Sequence, residues 1–199
     1  MRIFYLFMLT VMAMSLSSNA ATDFKTQLQQ PGTRGDTLLS EDFEGGELPS
    51  GWDTALTQDP WIFADTVETA WGPNNLPAHT TFASISDKEG DHDNTDVWLI
   101  APAVDLSTII NPVLSFEAFY DTQYSDLLTV KISIDGGTSW DTLALYDATL
   151  TEWNSEIIDL SGYTTETSVK IAFHYNDDGA WCNGFAIDDV TIFANIQHD

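Results

Sequence analysis

This chain of 199 residues has little cysteine, little positive charge and no long apolar run after its first sixteen residues. Cys182 is the single cysteine, so no disulfide can form within the chain, and the fold must be held by its core, by bound ions or by both. The thiol itself reads as a small, partly buried apolar residue. Only six lysines and arginines face 31 acids, for a formal net charge of −25. A surface this acidic repels phosphate backbones and anionic lipid, which excludes nucleic acid and membrane surfaces as partners. No stretch keeps a helical apolar period for three turns, and no fixed-period repeat is present, which argues against helical bundles, propellers and solenoids. What is present is a composition 43% hydrophobic and 12% aromatic, too rich for a disordered acidic tail.

The amino terminus has the layout of a targeting segment. Arg2 opens it, Ile3 to Leu16 is apolar except for Thr10 and Ser15, and Ser18-Asn19-Ala20 places small residues before a cut at Ala21. The apolar run of 14 residues is too short for a spanning helix, which needs about 20. The expectation is a signal peptide over residues 1–20, hence secretion, followed by a polar lead-in over 21–36, a domain over 37–195 and a short tail over 196–199.

From Thr37 onward, short runs rich in β-branched and aromatic residues alternate with Gly, Pro, Asn and Asp clusters, predicting strands near 37–44, 60–66, 80–86, 96–102, 112–121, 126–135, 139–146, 153–159, 168–176 and 184–194. Two are especially clear. Leu128, Val130, Ile132 and Ile134 alternate with Thr129, Lys131, Ser133 and Asp135, as Val169, Ile171, Phe173 and Tyr175 do with Lys170, Ala172 and His174. About ten strands at this spacing predict an all-β fold, a jelly-roll β-sandwich of two antiparallel sheets. Between two of the strands, Ser133 to Trp140 matches the Asp-box pattern, in which the Asp135 carboxylate caps the turn and Trp140 packs over the hairpin. Sialidase propellers carry several such boxes and an arginine cluster; one box and so few arginines argue against that chemistry.

The order of further pieces is informative. Glu41-Asp42-Phe43-Glu44-Gly45-Gly46, Leu48 to Trp52, Asp96 to Ser107, Leu114-Ser115-Phe116, Ile158 to Tyr163, Ile171 to Tyr175 and Ala186 to Ile192 together resemble the choice-of-anchor J or cleaved-adhesin domain family. This type of module occurs in gingipain haemagglutinin regions and is similar in layout to MAM domains. The resemblance covers about residues 37–195 and implies a jelly roll, often calcium-bound, that serves adhesion or recognition in secreted proteins. No sorting domain or apolar tail follows Ile192, so the expectation is a free single module or one attached through partners.

Calcium is the cofactor these residues favour. Hard oxygen donors are abundant, whereas soft sites are few: no cysteine cluster, and four scattered histidines, His79, His92, His174 and His198. In the jelly roll of the family the first and last strands lie close together, which implies that Glu44 and Asp189, then Asp42 and Asp188, converge on one ion. The core-type neighbours Ile187 and Val190 strengthen the case, because a carboxylate drawn toward the interior needs a counter-charge or strong donors. A second acidic loop, with Asp91, Asp93 and Asp96 as donors, departs from the EF-hand register and is an alternative ion site or merely solvated.

The expected ligand is a glycan or an extracellular protein. Trp98 and Trp140 read as core or hairpin packing, leaving Trp52, Trp61, Trp71, Trp153 and Trp181 as possible contact surfaces. Trp181, with Asn183 beside it, and Trp71 sit in polar, Gly-flanked loops and are the first choices for stacking on sugar. No Gly-x-Ser-x-Gly elbow is present, and the abundance of carboxylates carries no information about a glycosidase pair. His174, on the polar face of its strand, reads as a surface or bridging residue. Three readings result: a non-catalytic, calcium-stabilised adhesin-like module; a structural or matrix component whose ions only hold the fold; and a carbohydrate-active hydrolase.

Overall fold

The computed structural model describes residues 34–55, 60–66, 78–85, 96–121, 127–147, 150, 152–179 and 184–196, all within one unit, Thr33–Asp199. Among the described residues the strands are β1 (Arg34–Glu41), β2 (Asp53–Ala55), β3 (Ile62–Ala64), β4 (Phe82–Ile85), β5 (Val97–Ile100), β6 (Pro112–Asp121), β7 (Leu127–Ser133), β8 (Asp141–Tyr146), β9 (Asn154–Asp159), β10 (Lys170–Asn176) and β11 (Gly184–Asn195). Single 3-10 turns at Leu106–Thr108 and Ser161–Tyr163 complete the regular structure. One sheet runs β3-β4-β11-β6-β9 with β1 also paired to β11; the other runs β2-β5-β10-β7-β8, and every pairing is antiparallel. This is the two-sheet sandwich the strand pattern predicts.

The alternation of the sequence sets which side of each sheet is dry. In β7 and β10 the register pairs Leu128 with Tyr175, Val130 with Phe173 and Ile132 with Ile171, and all six are buried. The opposing sheet meets them with aromatic rings: Phe116 on β6 lies edge-to-face on Phe173 at 5.1 Å and 79°, and Phe185 on β11 packs on Tyr175 at 5.6 Å. Each such ring removed from water contributes about 1.5–3 kcal/mol, so this inter-sheet layer adds substantially to stability.

Two departures from the sequence-based strands have local causes. β2 was not expected, because three residues are too few to show alternation; it forms where buried Trp52 follows the left-handed turn at Gly51 (φ +85) and lays Asp53–Ala55 against β5. β1 starts at Arg34, inside the polar segment read as a lead-in, because its backbone pairs with the far end of β11 at Asn195.

β11 carries a bulge. Phe185 and Ile187 point into the core, and so do Val190 and Ile192, so the inward set changes phase between Ile187 and Val190. The register with β6 shifts between Asp188 and Thr191, and Asp189 absorbs the extra residue in a left-handed conformation, φ 50. Asp189 is thereby turned out to solvent, while Asp188 is fully buried on the outer side of its sheet.

Candidate functional site

The outer face of the five-stranded sheet carries a tier of rings. On β5, inward Val97 and Leu99 leave Trp98 facing out; on β10, inward Phe173 and Tyr175 leave His174 facing out, and the register places His174 directly beside Trp98. The two rings stack at 4.1 Å and 27°. Trp140 packs against Trp98 at 5.5 Å, and the Lys131 ammonium stands 5.7 Å from the Trp98 ring centroid, within reach of a cation–π attraction. Asp96 ties the tier together: its Oδ1 accepts from Trp98 Nε1 and lies 3.0 Å from His174 Nε2. Ala172, between these side chains in register and directed outward, is fully buried. Burial holds the His174 pKa below its ordinary value, opposed by Asp96 and assisted by Lys131.

Trp140 is aimed by the turn before it. Asp135 Oδ1 accepts from the backbone N–H groups of Thr138 (3.0 Å) and Ser139 (2.9 Å), and its Oδ2 accepts from the Ser139 hydroxyl at 2.6 Å. Ser133 donates to Asp135 Oδ1 at 2.8 Å and its hydroxyl oxygen accepts from Gly137 N–H at 2.8 Å. Those hydrogen bonds, led by the Ser139 hydroxyl, hold the Asp135 carboxyl well below the usual carboxylate range. Gly137 takes φ +97, which L side chains rarely adopt, and it lies beside the Trp140 ring, where an added Cβ would stand 3.5 Å away in ordinary contact. The Asp box therefore works as a fixed arm for Trp140.

A second constellation lies on the outer side of the other sheet, at the β11 bulge. Asp188 Oδ1 accepts from Asp189 N–H (2.7 Å), and Oδ2 accepts from Thr80 Oγ1 (3.2 Å) and lies 2.9 Å from His79 Nδ1. Burial is the main reason its pKa is raised, to about 6, with nearby Asp189 adding to the effect. Glu44 reaches the same segment from the other end of the chain, its Oε1 accepting from Thr81 N–H at 2.9 Å. The position of Glu44 is set by Phe43, which is fully buried against Trp52 (5.5 Å) and Phe63 (5.7 Å) and so forces a left-handed turn, φ 50. Glu41 Oε1 and Asp42 Oδ1 stabilise that turn by accepting from the N–H groups of Phe43 and Glu44.

Asp188, Glu44 and Thr80 present hard oxygens of the kind calcium takes, whereas His79 and the N–H groups of Thr81 and Asp189 present nitrogen. Among the described residues no three His, Cys, Asp or Glu side chains gather as a metal-binding group.

Of the residues singled out in the sequence, Trp71, Trp181, Asn183, Asp91 and Asp93 lie outside the described residues. Asp96 stands at the head of β5, engaged with Trp98 and His174. Asp42 is exposed and caps its own turn. β1 and β11 pair edge to edge, Glu41 opposite Val190, and the carboxylate driven into the interior is Asp188 rather than Asp189. Trp52 and Trp61 are buried core residues, and Trp153 packs among His79, Phe82 and Phe119. Trp98, expected from the sequence to pack in the core or hairpin, instead faces outward beside His174. The signal was available: Trp98 alternates with Val97 and Leu99, exactly out of phase with the core. The bulge was likewise readable from the three-residue spacing between Ile187 and Val190.

No family model matches the chain, and no curated protein matches it. Among solved structures, the chain is similar to the K3 cleaved adhesin domain of Lys-gingipain from Porphyromonas gingivalis w83, at 20% identity over 80% of this chain and 99% of that one, with a TM-score of 0.58. It is similar to TmCBM61 in complex with beta-1,4-galactotriose, at 17% identity over 81% and 100% of the two chains and a TM-score of 0.56. The CBM22-1 xylan-binding domain from Paenibacillus barcinonensis aligns at 14% identity over 84% and 99%, with a TM-score of 0.52. The protein thus has a cleaved-adhesin-like β-sandwich fold.

Proposed function

We propose that this protein is a secreted, non-catalytic module that recognises glycan on the outer face of its five-stranded sheet and is stabilised by calcium near Asp188 and Glu44. The observation that carries the reading is the tier of Trp140, Trp98 and His174 held by Asp96. Aromatic surface bordered by hydrogen-bonding side chains is what sugar recognition needs, since a pyranose offers both C–H faces and hydroxyls. Carbohydrate-binding modules of the same fold support it. A protein ligand is the second reading, supported by the likeness to adhesin domains. Calcium is supported by the buried carboxylate at the β11 bulge, whose only described ion-pair partner is a histidine.

Glycan arrays and calorimetry on the protein without residues 1–20 test the proposal. Binding that falls about tenfold or more in Trp140→Ala, with a cooperative melt retained, is the expected result. Silence across glycans and matrix proteins overturns it in favour of a structural role.

A further inference from the structure

In a chain with 31 acids, the two lysines among the described residues, Lys131 and Lys170, stand on the same outer face of adjacent strands. Lys170 pairs with Ser133 and Lys131 with Ala172, so the lysines are diagonal neighbours whose Cβ atoms lie about 7 Å apart. Among the described residues neither ammonium has a carboxylate within 4 Å. Among the described residues Lys131 Nζ meets the Thr142 hydroxyl, at 3.4 Å, and the Trp98 ring. Of the carboxylates near the face, Asp96 is engaged by Trp98 and His174, Asp135 by its own turn, and Asp53, across the register from Ile100, accepts from the Thr54 N–H. Among the described residues, a strongly acidic protein therefore presents two cations without a carboxylate partner on the sheet face that carries the tier of rings.

We infer that this face selects an acidic glycan, one carrying isolated carboxylate or sulfate groups on otherwise neutral sugars, with Lys131 and Lys170 taking the anion while Trp98 and Trp140 contact the ring. The inference rests on the recognition reading above and adds the ligand's charge. The net charge of −25 sets its limit: it repels a densely charged polyanion, so the anionic groups must be sparse. Charge-assisted hydrogen bonds to an ammonium are among the stronger polar contacts, and they weaken with added salt.

The test uses two matched pairs of probes, glucuronoxylan with its carboxyl-reduced form and a sparsely sulfated galactan with its desulfated form. The expected result is about tenfold tighter binding to the anionic member of at least one pair, the pair identifying carboxylate or sulfate as the group read. That preference should shrink as salt is raised, collapse toward one in the Lys131→Gln Lys170→Gln double variant, and return with arginine at both positions. Equal binding to both members of each pair, or a preference that survives the double glutamine variant, overturns this inference and leaves the recognition reading standing. Absence of binding to all four probes overturns this inference, while the recognition reading falls only with silence across the glycan arrays and matrix proteins.

Discussion

The imidazole of His174 lies against the indole of Trp98, 4.1 Å between centroids, and both rings contact the same oxygen of Asp96. Because burial holds the His174 pKa below its ordinary value of about 6.5, the fold favours the neutral ring. A depressed pKa means that the unfolded chain binds the proton more readily, so this contribution to stability is complete above the ordinary value and is lost as pH falls from there through the folded pKa. Thermal melts from pH 7.5 down to 5 should show the decline, and His174→Gln should flatten that part of the profile. An identical profile in the variant would show that another group is responsible.

The Asp135 turn yields a second pH effect at lower values. With its carboxyl held below the ordinary range, the stabilisation it gives is present above about pH 4 and declines as pH falls further. Asp135→Ala should lower the melting temperature at neutral pH and weaken binding through misplacement of Trp140. Trp140 fluorescence changes in that variant, measured against a Trp98→Phe background, check the second half.

Phe116 and Phe173 join the two sheets edge-to-face, and both are essentially inaccessible to solvent. Truncating either to Ala should cost about 3–5 kcal/mol, the sum of lost transfer energy and the cavity left between sheets. Denaturant unfolding checks it; a loss under 1 kcal/mol would mean that the sheets close over the gap.

Calcium should raise the melting temperature of chelator-treated protein. An ion bound only by the native state at 100 times its dissociation constant adds about 2.7 kcal/mol. Asp188→Asn and Glu44→Gln should each reduce the shift, whereas Asp91→Asn should not if the β11 bulge is the site. Elemental analysis and melts with and without chelator decide the matter, and no shift together with no bound metal would sink the calcium proposal.

The chain's sequence by itself determined the two-sheet architecture, because period-two alternation as in β7 and β10 leaves one face of each strand no favourable place except a shared dry core. It likewise determined the Asp-box turn, whose hydrogen bonds all close within seven residues, from Ser133 to Ser139. The nearness of β1 and β11 is implied by the family resemblance, but the burial of Asp188 and the gathering of Trp98, His174, Trp140 and Lys131 were decided only by tertiary structure. Register between strands distant in sequence brings these side chains together, and a single bulge at Asp189 exchanges which of two adjacent carboxylates is buried. Residue type alone cannot separate Trp52, which fills the core, from Trp98, which roofs a sheet: both are large apolar rings near a strand, and the distinction is made by which side of the sheet each one faces.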